Sequence, residues 1–135
     1  MANISNYLEE AILNHVMRNT EYVRPATVYV GLISDDASDN DLEEGTLTNE
    51  ITTYTGNRKP VTFTEPTQQD GKATIKNNVE IDFEDMPAVI VKYAVICDAE
   101  TNGNVLYWCP LTDIKTTNAG DTFRIPEDGL VLDLD

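Results

Sequence analysis

Histidine occurs once in this chain, at His15, and cysteine twice, at Cys97 and Cys109. One histidine with two distant cysteines falls short of the three or four ligands a zinc site needs, so structural zinc is excluded. Two cysteines cannot make a disulfide framework either. In strands they read as free thiols packed as small hydrophobes, the alternative being a cross-strand pair, since they lie on neighbouring strands of one hairpin. No apolar run approaches the ~18 residues of a membrane span, and no polybasic segment offers attraction to a membrane surface. Gly-x-Gly-x-x-Gly and Walker patterns are missing, so nucleotide chemistry has no visible cradle. The first six residues are polar and build no signal-peptide core, which predicts synthesis and assembly in the cytosol. Cations are scarce: 9 basic residues stand against 24 acidic ones, a net charge of −15. A field of that sign repels nucleic acid. Neither membrane nor nucleic acid is therefore an expected partner.

What is present is one helical pattern followed by many strand-like ones. Ser5 and Asn6 both suit an N-cap, Glu9 follows Asn6 at capping-box spacing, and Leu8, Ala11, Ile12, His15 and Val16 recur with helical period. The spacing predicts an amphipathic helix over about residues 6–18. It is too short to stand alone, so its stripe has to pack on a sheet or on a neighbouring subunit. After Pro25, the β-branched and aromatic run Thr27 to Ile33 reads as a buried strand. Ser34 to Gly45 has no periodicity and little to bury, and reads as an acidic loop. Val61 to Phe63 resumes strand character, Thr64 to Gly71 is a polar connection, and Ala73 to Phe83 alternates in and out, with a kink at Lys76 to Asn78. Ala88 to Cys97 is almost continuously apolar, as expected of a strand covered on both faces or lying at an interface. Asn102-Gly103 tolerates the positive φ of a primed hairpin turn, from which Val105 to Leu111 returns. Asn118 to Asp121 supplies similar turn chemistry, and Leu130 to Leu134 closes the chain. At 135 residues this is one domain. Its class is mainly β, an antiparallel sandwich or flattened barrel over about residues 25–135 with one N-terminal helix.

Candidate chemistry is thin. His15 lies on the apolar stripe, where a packed or interfacial imidazole is expected in preference to a catalytic base. Asp35, Asp36, Asp39 and Asp41 place hard oxygens on the acidic loop and are weak calcium candidates, but their spacing does not reproduce an EF-hand. Glu80, Asp82 and Glu84 alternate onto the polar face of a strand, the ordinary solvent side of a sheet. No cofactor and no catalytic residue is expected. Tyr107 and Trp108 are adjacent on one strand and point to opposite faces, so at most one belongs to the core of a simple two-layer sandwich. The helix and the strand Ala88 to Cys97 carry more apolar surface than one small sandwich needs. The interface candidates are accordingly Leu8, Ile12, His15, Val89, Val91, Tyr93, Tyr107 and Trp108.

The run Asp98-Ala-x-x-x-Gly103-Asn-x-Leu106-Tyr-Trp-x-x-Leu111, followed by Lys115-Thr and Gly120-Asp-Thr-Phe-x-Ile-Pro126, resembles a group of small tailed-bacteriophage virion proteins, often labelled tail fibre proteins. Leu13 to Thr20, Pro25 to Ile33, Glu50 and Arg58 to Phe63 continue the resemblance in order. It is weakest over Ser34 to Asn57, and where that group has Gly-Tyr-x-Arg this chain has Thr55-Gly-Asn-Arg58. The resemblance implies a non-enzymatic structural protein of a virion, assembled in the host cytoplasm. The expected role is a capsid decoration or cement protein on the outer head surface, since one compact domain has no shaft. The alternatives are a tail or head fibre protein that helps bind the host surface, and a neck or connector protein. Expected partners are the major capsid protein or other virion proteins, and further copies of the chain in a homo-oligomer, for which a trimer is the expected order.

Overall fold

Asn102 and Gly103 both take the positive φ expected there, 56° and 70°, but within a longer hairpin loop closed by the Asp98 amide donating to the Asn104 carbonyl at 3.2 Å in place of a two-residue primed turn. The turn is braced by Asp98, whose carboxylate accepts from the Asn104 amide at 2.7 Å and from its side-chain amide at 3.0 Å. A Cβ on Gly103 would overlap Asp98 Oδ1. The computed structural model describes residues 2–135. Its elements are β1 (Asn3–Ile4), α1 (Asn6–Met17), β2 (Val28–Ser34), α2 (Asp39–Glu43), β3 (Glu50–Ile51), β4 (Lys59–Val61), β5 (Thr67–Gln69), β6 (Lys72–Lys76), β7 (Ile81–Met86), β8 (Val89–Cys97), β9 (Val105–Thr117), β10 (Asp121–Ile125) and β11 (Val131–Leu134).

All strand pairs are antiparallel. The large sheet runs β1-β9-β8-β2-β3, with β4 also on β2; β10-β7 and β11-β6-β5 form two small sheets. One face of the large sheet packs on the small sheets through Val30, Leu32, Ala94 and Ile96 on one side and Phe83, Met86, Phe123, Ile125 and Leu132 on the other. Phe83 meets Tyr54 and Phe123 edge to face, centroids 5.0 and 6.2 Å apart. The fold is thus a mainly β sandwich with one N-terminal helix, and no closed barrel forms.

Two local readings change. Thr67 to Gln69 is not part of a plain connection but the outer strand of a hairpin, turned by Asp70 and Gly71 at φ 52° and 80°. All three of its residues are exposed, so it carries no alternation to read. Ser38 to Glu43 is not an open loop: Ser38 caps α2 through a reciprocal capping box with Asp41, and Leu42 beneath it is fully buried.

Helix α1 is capped by Ser5, whose Oγ accepts from the Leu8 amide at 3.3 Å. The same hydroxyl donates to the Val105 carbonyl at 2.5 Å, and the Ser5 amide donates to the Leu106 carbonyl at 2.9 Å. Ser5 therefore joins the helix to β9 as well as starting it, which the Asn6–Glu9 spacing does not do. Leu8, Ala11 and Ile12 are half-buried, but no residue of α1 is fully buried.

Candidate functional site

The large sheet is apolar on both faces, because β8 alternates without a polar side: Ala94 and Ile96 face the sandwich, while Tyr93, Val95 and Cys97 face the other way. What covers that second face is α2. Leu42, Ala37 and Ile33 pack with Tyr93, Val95, Cys97, Val105 and Trp108 in a second core, and Tyr93 and Trp108 meet edge to face with centroids 6.0 Å apart. The acidic residues of this cover are its fasteners. Tyr93 donates its hydroxyl to Asp39 Oδ1 at 2.5 Å, and Trp108 donates its indole N–H to Glu43 Oε2 at 2.7 Å. Hydrogen bonds to ionised acceptors are the stronger kind, and here each satisfies a donor that burial would otherwise leave unpaired.

This arrangement answers several expectations. Val91, Tyr93 and Trp108, expected at an interface, lie inside the protomer at 0, 1 and 6 % exposure. Tyr93 and Trp108 are covered by the chain's own Ala37 and Leu42, and Val91 lies in the main core. Tyr107, on the other face, is half-buried and donates to the Asp133 carbonyl at 3.0 Å. Val89 is half-buried against the main core, and His15 is exposed, its Nδ1 accepting from the Tyr22 amide at 3.1 Å. The four calcium candidates do not converge: Asp39 is held by Tyr93, Asp41 accepts from the Ser38 amide, and Asp35 and Asp36 are exposed. Among the described residues no three His, Cys, Asp or Glu side chains are grouped as metal ligands.

Arg58, 4 % exposed, is the most heavily committed cation. It pairs with both oxygens of Glu50 (2.7 and 2.8 Å) and donates to the carbonyls of Ala99 and Asn102 (2.8 and 2.7 Å). A side chain at Gly31 would fall 2.8 Å from Glu50 Oε2, so the absent Cβ makes room for this pair. On the outer face of β7 and β10, Arg124 is held by Asp82 at 2.6 Å and reaches Glu80 at 3.8 Å, which lowers the Asp82 pKa through their hydrogen bond. Among the described residues every buried side-chain nitrogen and oxygen has a partner.

The two thiols sit on opposite faces of the sheet, Cys97 in the second core and Cys109 in the main one, which excludes a cross-strand bond. Burial pushes both up to about 12 from an ordinary 9.0, and burial likewise raises Tyr54 and Tyr93 to about 12 from 10.0. The unfolded chain sheds these protons at about pH 9 to 10 and the folded one near 12. Stability is therefore full below about pH 9 and falls as pH rises towards 12. Denaturant titrations through this window should show a midpoint that drops steadily, and a thiol reagent at neutral pH should label neither cysteine until denaturant is added.

The helix was expected to offer a contact surface through Leu8, Ile12 and His15, but its exposed apolar side is another one. The outer side of α1 carries Leu13, Val16 and Met17, exposed by 60, 63 and 76 %. The signal was legible: this helix has apolar residues on nearly every side, and a helix of that kind is normally buried all round.

The sheets thus cover their own apolar faces, and among the described residues the buried polar side chains are matched within the chain. The chain belongs to the family of the podophage GP4 fiber I protein gp80, whose profile matches residues 3–133. The family is one of phage structural, fibre-type proteins. No curated protein matches the chain.

Proposed function

We propose that this chain is a structural subunit of a phage virion that takes its place in a fibre, bound to other virion proteins after synthesis in the host cytoplasm. The observation that carries the reading is the family match over residues 3–133 to a podophage fibre protein. It favours a fibre over the head decoration expected from the resemblance together with the lack of a shaft and the acidic face. The architecture suits the role. Two cores lie on the two faces of one sheet, and loops are clamped by Arg58 and by the α2 fasteners, which suits a unit held in a larger assembly. The net charge of −15 directs it to partner surfaces that are basic or apolar and away from nucleic acid.

Cryo-electron microscopy of virions from the source phage tests this. Density for the domain on tail-associated fibres is the expected result. Density repeating at icosahedral lattice positions on the head would replace it with the decoration role, and absence from the particle would overturn both.

A further inference from the structure

Asn102-Gly103 is the one Asn-Gly pair in the chain, and the fold leaves part of it free and holds another part fast. Both residues are exposed. Among the described residues neither the Asn102 side-chain amide nor the Gly103 N–H has a hydrogen-bond partner within the chain. The Asn102 carbonyl, by contrast, accepts from Arg58 Nη1 at 2.7 Å, and the same nitrogen holds the Ala99 carbonyl at 2.8 Å. Arg58 is itself fixed by both oxygens of Glu50. At φ 56° Asn102 lies in the left-handed region, where ψ is about +47°. That rotation turns the Gly103 nitrogen away from Asn102 Cγ. The two meet only when the peptide between them turns over, and its carbonyl then leaves Arg58.

We propose that Asn102 is a self-modification site, deamidated by the backbone nitrogen of Gly103 and gated by Arg58. When the loop opens, the Gly103 nitrogen attacks Asn102 Cγ and gives up its proton. The new N–C bond displaces the side-chain nitrogen, which leaves with that proton as ammonia, and a succinimide closes. Water then splits one of the two C–N bonds of the imide. Splitting the bond to Cγ leaves aspartate; splitting the bond to the main-chain carbonyl carbon leaves isoaspartate, whose main chain runs through Cβ and Cγ. Gly103 suits the nucleophile because no side chain crowds its nitrogen. Either product adds a carboxylate to a cleft that Glu50 and Glu100 already line, and like charges there repel. The modification thus loosens the clamp that delays it. The bond from Arg58 is of the stronger, charge-assisted kind, so its loss should speed the reaction on the order of tenfold to a hundredfold.

Peptide mass spectrometry of the full chain, held at mildly alkaline pH and sampled over time, provides the test. Cleavage after Lys92 and Lys115 frees a peptide in which the change from amide to acid is read, and fragmentation separates Asn102 from Asn104. The folded wild type should convert at Asn102 on the order of tenfold or more slowly than the same chain in denaturant. Arg58→Met should convert roughly tenfold to a hundredfold faster than the folded wild type. The double variant Arg58→Met with Glu50→Leu no longer buries an unpaired charge but still lacks the bond to Asn102, so it should convert as fast as the single. Asn77→Leu weakens the fold through partners at Val79, Pro126 and Leu130, away from this loop, and should keep the wild-type rate. No conversion at Asn102 in Arg58→Met would overturn the site. A folded wild type as fast as the denatured chain, a double variant that returns to the wild-type rate, or an Asn77→Leu as fast as Arg58→Met would each overturn the gate.

Discussion

Arg58→Met is expected to destabilise the protein by ~3–5 kcal/mol, because it strands a buried Glu50 carboxylate without its partner. Glu50 has only 11 % of its side chain in contact with solvent, so water cannot replace the guanidinium. The substitution also frees the Ala99 and Asn102 carbonyls, which Arg58 now holds at 2.8 and 2.7 Å. Each of those bonds adds about 1 kcal/mol. For a chain of 135 residues the drop in melting temperature should be on the order of 10–20 °C. The control is the double variant Arg58→Met with Glu50→Leu. Removing both charges should recover most of the loss, because the penalty lies in the unpaired charge more than in the absence of the bridge. If the single variant melts like the wild type, Arg58 is not the clamp between β3 and the β8–β9 turn. If the double variant is no better than the single, the hydrogen bonds to the turn outweigh the ion pair.

Asn77→Leu is the second change with a large expected cost, although the two side chains have similar size. Asn77 is fully buried in the break between β6 and β7. Its side-chain amide donates to the carbonyls of Val79 at 2.8 Å and Pro126 at 2.9 Å, and its oxygen accepts from the Leu130 amide at 2.8 Å. Its backbone amide donates to the Leu130 carbonyl at 3.2 Å, and its carbonyl accepts from the Asp128 amide at 2.9 Å. One residue thus joins the β6–β7 break to the loop that leads into β11. Leucine would leave three main-chain groups unpaired around an apolar side chain, each costing ~1–3 kcal/mol where water cannot reach. Denaturant unfolding should show a loss of about 3 kcal/mol or more. Amide exchange at Leu130 should quicken well beyond what that global loss explains, because its acceptor is gone. Unchanged protection at Leu130 would show that another group has taken the place of the Asn77 oxygen.

Neither residue stands out in the sequence. Arg58 meets carbonyls about forty positions away and Asn77 an amide 53 positions away, and nothing in their immediate neighbours marks those distant partners. The Lys76 to Asn78 step reads correctly as a kink, since β6 ends at Lys76 and β7 begins only at Ile81, with the Phe63–Asn77 bridge between them. That the kink is the most heavily bonded polar point in the fold depends on which loop folds back over it.

Turns, strands and the helix were legible because their causes are local. Asn102-Gly103 takes positive φ at little cost wherever it occurs, Ser5 and the stripe that follows start a helix, and the unbroken apolar run of β8 requires cover on both faces. The sequence by itself therefore determined a mainly β antiparallel domain with one leading helix and a strongly acidic charge, while the choice of sandwich over barrel and the separation of the two thiols came with the tertiary structure. What only the tertiary structure decided is which surfaces are spent inside the protomer and which are left over. The acidic stretch from Ser34 to Gly45 carries just two apolar side chains that become buried, Ala37 and Leu42. Yet Tyr93 and Trp108 donate to its carboxylates, and so it closes over the second face of the sheet and turns expected interface residues into core. Leu13 and Met17 on α1 remain outside, since one helix can press only one side against β9. Burial belongs to a pair of surfaces, and periodicity describes only one of them.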